Sequence, residues 1–140
     1  MSTEQNKALI HRVFEEGINQ GALEIFDEII APSYVNHNMP APTPGPAGLK
    51  QVVGAFITGF PDMHITLEQV IAEGDKVASQ GRMRGTHTGD FMGIPATGKA
   101  IEMTYIDIWR IENGKAVENW VQLDMMGLMQ QLGVIPAPGQ

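Results

Sequence analysis

Asp107 sits in the run Tyr105-Ile106-Asp107-Ile108-Trp109, whose other members are aromatic or aliphatic and whose composition suits a β-strand. A carboxylate in that company must be hydrated, paired, or held at a cost in free energy. Turned into an apolar pocket it loses hydration, its pKa rises, and it becomes an acid/base group matched to neutral pH. The chemistry within its reach is then proton abstraction beside a carbonyl, or activation of a water. As a solvated surface residue or a strand-edge charge it would have no chemical task.

The neighbours of Asp107 depend on the turn at Glu112-Asn113-Gly114. A two-residue Asn-Gly turn pairs Asp107 with Trp120, whereas a turn with Gly114 as a bulge residue pairs Asp107 with Asn119 and Tyr105 with Val121. The bulged form is preferred. It gathers Tyr105, Asp107, Trp109, Val117, Asn119 and Val121 on one largely apolar face, and leaves Arg110, Glu118, Trp120 and Gln122 on the other. With Arg82 and Arg84 facing out, alternation along the preceding strand turns Ser79, Gly81, Met83 and, in phase, His87 inward. The segment Ser33-Tyr34-Val35-Asn36-His37-Asn38 adds Tyr34, Asn36 and His37 at the mouth. Phe14 and Phe91 complete the apolar lining. Asp107 and His87 are thus the leading catalytic candidates, and Asp124 is a third carboxylate that also reads as a helix cap.

Positioning these residues requires helices and one sheet. Ser2 and Gln5 have capping-box spacing, and apolar residues from Leu9 to Ile18 recur at helical intervals, which predicts a helix from Thr3 to about Gln20. A short second helix is expected before Pro32, and a third from about Pro46 to Gly59. The pattern then alternates with period two, giving a hairpin that turns at Glu73-Gly74-Asp75 and two long strands, Ala100–Ile111 and Lys115–Leu123. A final apolar helix follows Asp124, and a frayed tail is expected from about residue 134. Helices followed by antiparallel strands make a single α+β domain over residues 1–140, with a cone-shaped hollow between the helices and a curved sheet.

Composition narrows the partners. The net charge is −7 with the nine Lys and Arg scattered, so nucleic acid and anionic membrane are not expected to bind. There is no cysteine, and the four histidines form no short-range ligand pair, so neither metal nor cofactor is expected. The polar, then amphipathic N-terminus is not of signal-peptide type, and a cytoplasmic location is the default. Ile106, Ile108, Trp120 and Gln122 would form an apolar strip on the outer face, which calls for association of copies of the chain.

The stretches Gly85-Thr-His-Thr-Gly-Asp-Phe-Met-Gly-Ile-Pro-Ala-Thr-Gly98, Ile108–Trp120 and Gly127-Leu-Met-Gln-Gln-Leu-Gly133 resemble SnoaL-like polyketide cyclases, a branch of the nuclear transport factor 2-like fold. The resemblance extends over nearly the whole chain. It implies a cofactor-independent intramolecular aldol condensation on a hydrophobic polyketide-like ester, in a homodimer or homotetramer, with an acid/base aspartate on the last strand and a histidine on the strand beside it. Carried onto this sequence, the aspartate position falls on Val121 and the histidine position on Asp107. The carboxylate would then have moved across one rung of the hairpin. An isomerase, a dehydratase, an epoxide hydrolase and a small-molecule carrier without turnover are the alternatives that the same fold allows.

Overall fold

The chain starts its first helix as the capping box requires. Ser2 Oγ accepts from the Gln5 amide at 3.1 Å, and Gln5 Oε1 accepts from the Ser2 amide at 3.0 Å. The computed structural model describes residues 2–39, 41 and 43–136. Helix α1 spans Thr3–Arg12 and runs on as a π-helical stretch over Val13–Ile18. The expected single helix to about Gln20 is therefore α-helical for only its first part. The wider turns place Val13, Phe14, Gly17 and Ile18 together in the interior.

The second helix is shorter than expected. A 3₁₀ turn at Leu23–Ile25 leads into α2, Phe26–Ile29, and the chain becomes extended at Ile30. Strand β1, Ile30–Asn36, contains Pro32. Proline is tolerated there because β1 is an edge strand and its register is irregular between Ile30 and Val35, where no ladder needs the missing N–H. Helix α3, Gly45–Gly59, follows with a proline in its first turn and buries Leu49 and Val53. Pro40 and Pro42 of the intervening loop lie outside the described residues.

Strands β2 (His64–Glu73), β3 (Lys76–Thr86), β4 (Ala100–Glu112) and β5 (Lys115–Leu123) form an antiparallel meander, and β1 adds to β5 in parallel. The order is β1-β5-β4-β3-β2, a curved sheet that does not close. Helix α4, Met125–Leu132, ends at Gly133, and the expected tail falls partly outside the described residues, since 137–140 are not among them. Phe26, Phe60, Ile10, Ile30, Val77 and Leu128 are fully buried between helices and sheet.

The β4–β5 turn corrects the expected register. Asn113 and Gly114 both have positive φ, 52° and 75°, and Glu112 pairs with Lys115, so the turn is the two-residue form. The extra residue enters further along: Arg110 pairs with Glu118 but Ile111 with Ala116, which makes Val117 the bulge. Asp107 consequently faces Val121, Trp109 faces Asn119 and Tyr105 faces Leu123. The expected partners differ from these by two residues, an even number, so the division into inner and outer faces is unaffected from Asn119 onward, while nearer the turn Ala116 rather than Val117 pairs with inward-facing Ile111.

Candidate active site

Between the helices and the inner face of the sheet lies a cavity of about 90 Å³, almost entirely apolar, whose lining includes Phe14, Ile18, Leu49, Val53, Met63, Met83 and Met103. Asp107 enters it from the middle of β4. The inner face of that strand reads Met103, Tyr105, Asp107, Trp109, Ile111, all buried, because successive inward positions recur every second residue. Asp107 is only 3% exposed. Its Oδ1 accepts a hydrogen bond from the hydroxyl of Ser79, the residue opposite it on β3.

Burial dominates the electrostatics of this carboxyl and pushes it up to about pKa 7. The Ser79 hydroxyl and amide and the nearby Trp109 indole act in the opposite direction and leave it short of full neutralisation. The indole approaches without reaching hydrogen-bond geometry, and its Nε1 is a buried donor with no partner among the described residues. The Tyr105 hydroxyl is a second such donor. Burial, and then the charge of Asp107, raise the Tyr105 phenol, so it stays protonated at neutral pH. Its position depends on Gly81, the facing residue on β3: a Cβ there would fall 3.0 Å from Tyr105 Oη and 2.3 Å from the carbonyl oxygen of Thr66.

Aromatic packing fixes both rings. Phe14 stacks on Tyr105 with centroids 5.5 Å apart and meets Trp109 edge-on at 6.2 Å, and Tyr34 stacks on the other side of Trp109 at 6.2 Å. Asn119 is 1% exposed, donates through Nδ2 to the Ile108 carbonyl at 3.0 Å, and accepts from the Tyr34 hydroxyl at 3.5 Å. Asn36 and Val121 also line the cavity. Outside it, a surface groove shares Met39, Val52, Phe56, Val121 and Leu123 with the cavity and continues past Phe91, Met92 and Met125.

Of the residues singled out in the sequence, Phe14, Asn36, Met83, Tyr105, Asp107, Trp109, Asn119 and Val121 line one cavity, and Tyr34 packs behind Trp109. Four others lie elsewhere. His87 is buried but does not line the cavity: β3 ends at Thr86, so strand alternation no longer applies one residue later. Its ring tilts against Phe60, and Nδ1 accepts from the Thr97 amide at 3.2 Å. Asp124 is exposed and caps α4, accepting from the Gly127 amide at 2.9 Å. His37 stacks on Trp120 at 4.9 Å and lies 3.7 Å from Glu118, on the outer face of the sheet. Phe91 packs on Phe56 and Phe60 and reaches only the groove at the mouth. The hydrogen bond from Ser79 to Asp107 was not foreseen, although both were read as inward-facing. Met103 was missed despite sharing the phase of Tyr105. Among the described residues no three His, Asp or Glu side chains gather closely enough to hold a metal ion.

The family model for SnoaL-like polyketide cyclases matches residues 8–132. The chain belongs to that family. Nogalonic acid methyl ester cyclase from Streptomyces nogalater is 30% identical over 122 residues, covering 82% of this chain and 88% of that protein. Among solved structures, IdmH from Streptomyces antibioticus is 36% identical with a TM-score of 0.79, over 92% of this chain and 99% of IdmH. TsrD from Streptomyces laurentii is 28% identical with a TM-score of 0.88, over 96% of this chain and 99% of TsrD. The SnoaL-like fold thus extends over the whole meander and its helices. Within it, Asp107 and Val121 occupy one rung of the β4–β5 ladder and both face the cavity, so a carboxylate on either strand reaches the same space. No helix among the described residues is long and apolar enough to cross a membrane.

Proposed function

We propose that this protein is a cofactor-independent cytoplasmic cyclase that closes a ring in a hydrophobic polyketide-like ester, with Asp107 as the acid/base group. Asp107 takes a proton from the carbon beside a carbonyl, and the C–H electron pair becomes the enolate. The enolate carbon attacks a second carbonyl of the same molecule, forming the new C–C bond, and the resulting alkoxide takes the proton back from Asp107. Nothing is oxidised or reduced, and product and substrate have the same composition. Phe14, Trp109, Val121 and the methionines of the lining would hold the ester and exclude water, while Asn36, Asn119 and Tyr34 set the polar end of the site. The outer sheet face would join copies of the chain into a homodimer or homotetramer.

One observation carries this reading: a buried carboxyl with its pKa near 7 opens into an apolar cavity, in a chain of this family. Nogalonic acid methyl ester, the compound named in the relative, is the first substrate to test. Ring closure appears as a product of unchanged mass and altered retention. Asp107→Asn keeps shape and hydrogen bonding but removes proton acceptance, and turnover should fall roughly hundred- to ten-thousand-fold. Full activity in that variant would reject Asp107 as the base. Stoichiometric binding of polyketide esters with none converted would make the protein a carrier.

A further inference from the structure

Two of the buried polar atoms that lack a partner among the described residues, Tyr105 Oη and Trp109 Nε1, belong to the residues immediately before and after Asp107 on the inner face of β4. A buried donor without an acceptor costs on the order of 1–3 kcal/mol, and two of them beside one carboxyl is an expensive arrangement for a merely structural core. The rings that carry them are clamped by Phe14 and Tyr34, with the Tyr105 hydroxyl beside Ser79 and the indole beside Asp107 but neither in hydrogen-bond geometry. Ser79 already holds Oδ1 of Asp107. An oxygen atom from a ligand in the cavity would satisfy donors that the protein leaves unmet.

Building on the acid/base reading of Asp107, we propose that the Tyr105 hydroxyl and the Trp109 indole N–H bind the carbonyl oxygen of the substrate and hold it as it becomes an enolate. Asp107 removes the proton from the adjacent carbon; the C–H pair forms the C=C bond, and the carbonyl π pair moves to the oxygen between the two donors. Donors fixed in an apolar, water-poor site need no reorganisation as charge develops, which is where such groups act most strongly. The ligand class that follows is a flat, uncharged enolisable carbonyl compound. A planar phenolate is its stable analogue, because it puts a full negative charge on the oxygen that the enolate would occupy.

The test is the binding of 4-nitrophenol, whose phenolate absorbs in the visible and so reports its own ionisation when bound. Nitrobenzene serves as the control ring without the oxygen. Native protein should bind 4-nitrophenolate at least tenfold more tightly when Asp107 is protonated than when it is ionised, and Asp107→Asn should keep the tighter affinity at every pH. In the Asp107→Asn background, Tyr105→Phe and Trp109→Phe should each weaken the phenolate tenfold or more and leave nitrobenzene within about twofold, since a hydrogen bond to a charged acceptor is worth about 1.5–3 kcal/mol. Equal weakening of both ligands would mean that the two residues only shape the cavity. Phenolate affinity unchanged by either substitution, or no phenol binding to Asp107→Asn at millimolar concentration, would overturn the donor assignment. Should Trp109→Phe fail to fold, Tyr105→Phe, which removes a single oxygen, decides the case. None of these readings involves turnover, so the failure of Asp107 as the base would be seen separately, in the cyclisation assay.

Discussion

The two faces of the β4–β5 ribbon invert the usual rule of burial. On the inner face Asp107, Asn119 and Ser79 of the adjoining strand are all 3% exposed or less. On the outer face Ile106 is 59% exposed, Ile108 42% and Ile71 of β2 62%. Polar groups inside and aliphatic groups outside are both costly in an isolated domain, so each face needs something beyond the chain to make sense of it. The inner inversion is local: Asp107 and Asn119 enter an otherwise largely apolar cavity and Ser79 supports Asp107 from the adjoining strand, which is the form a ligand site takes. The outer one is spread over two strands and bordered by the ion pairs Arg82–Glu68 and Arg110–Glu118, which is the form of a protein interface. The two side-chain phases of β4 thus carry the proposed ligand site on one face and the proposed contact between copies on the other.

The sharpest way to break this contrast is the pH dependence of Asp107. The base must be ionised, so kcat/KM should rise with pH and level off above an apparent pKa near 7. Stability should move the other way. The folded-state pKa lies above the ordinary carboxylate value of 3.8, so the folded chain keeps a proton that the unfolded chain has lost between pH 3.8 and about 7. Stability due to the neutral carboxyl is complete below that window, falls as pH rises through it, and stays low above it. Asp107→Asn should remove this decline, so denaturant midpoints of variant and native protein should diverge from about pH 4 to pH 7 and run parallel beyond. A parallel course throughout would mean that Asp107 titrates as an ordinary exposed carboxylate.

The outer face predicts a smaller but equally direct effect. Native protein should sediment as a multiple of 15.2 kDa, and Ile106→Lys combined with Ile108→Lys should give the 15.2 kDa species at micromolar concentration. Cyclisation per site should change by less than about tenfold, because neither residue lines the cavity. A native monomer would leave the exposed isoleucines without a role. Asp124 should matter less again. Asp124→Ala removes the acceptor for the Gly127 amide and should cost about 1 kcal/mol, read as a shift in denaturant midpoint, whereas Asp124→Asn should be nearly silent in both stability and turnover. At the bottom of the scale, a chelator should leave the melting temperature where it was.

The amino-acid sequence alone specified the helix starts and the four antiparallel strands with their phases, but not β1, which was expected to be helical up to Pro32 and instead joins the sheet in parallel. Apolar residues at helical spacing, the Ser2–Gln5 box and the Asn113-Gly114 turn are local signals, and local signals specify local structure. Phase within a strand follows from the alternation itself, which is why Tyr105, Asp107 and Trp109 were legible as one face whichever turn was chosen, whereas Asn119 joins them only because one extra residue enters the ribbon. Register was not legible, because the bulge at Val117 depends on how β5 fits between β4 and β1, and β1 returns from distant sequence to pair in parallel. The same limit explains His87, whose inward phase was extrapolated one residue past the end of β3 into a loop held by Lys99 and Thr97. Only the tertiary structure could bring Ser79 onto Asp107 and leave Tyr105 and Trp109 unpaired beside it, since hydrogen-bond satisfaction is decided by which strands become neighbours.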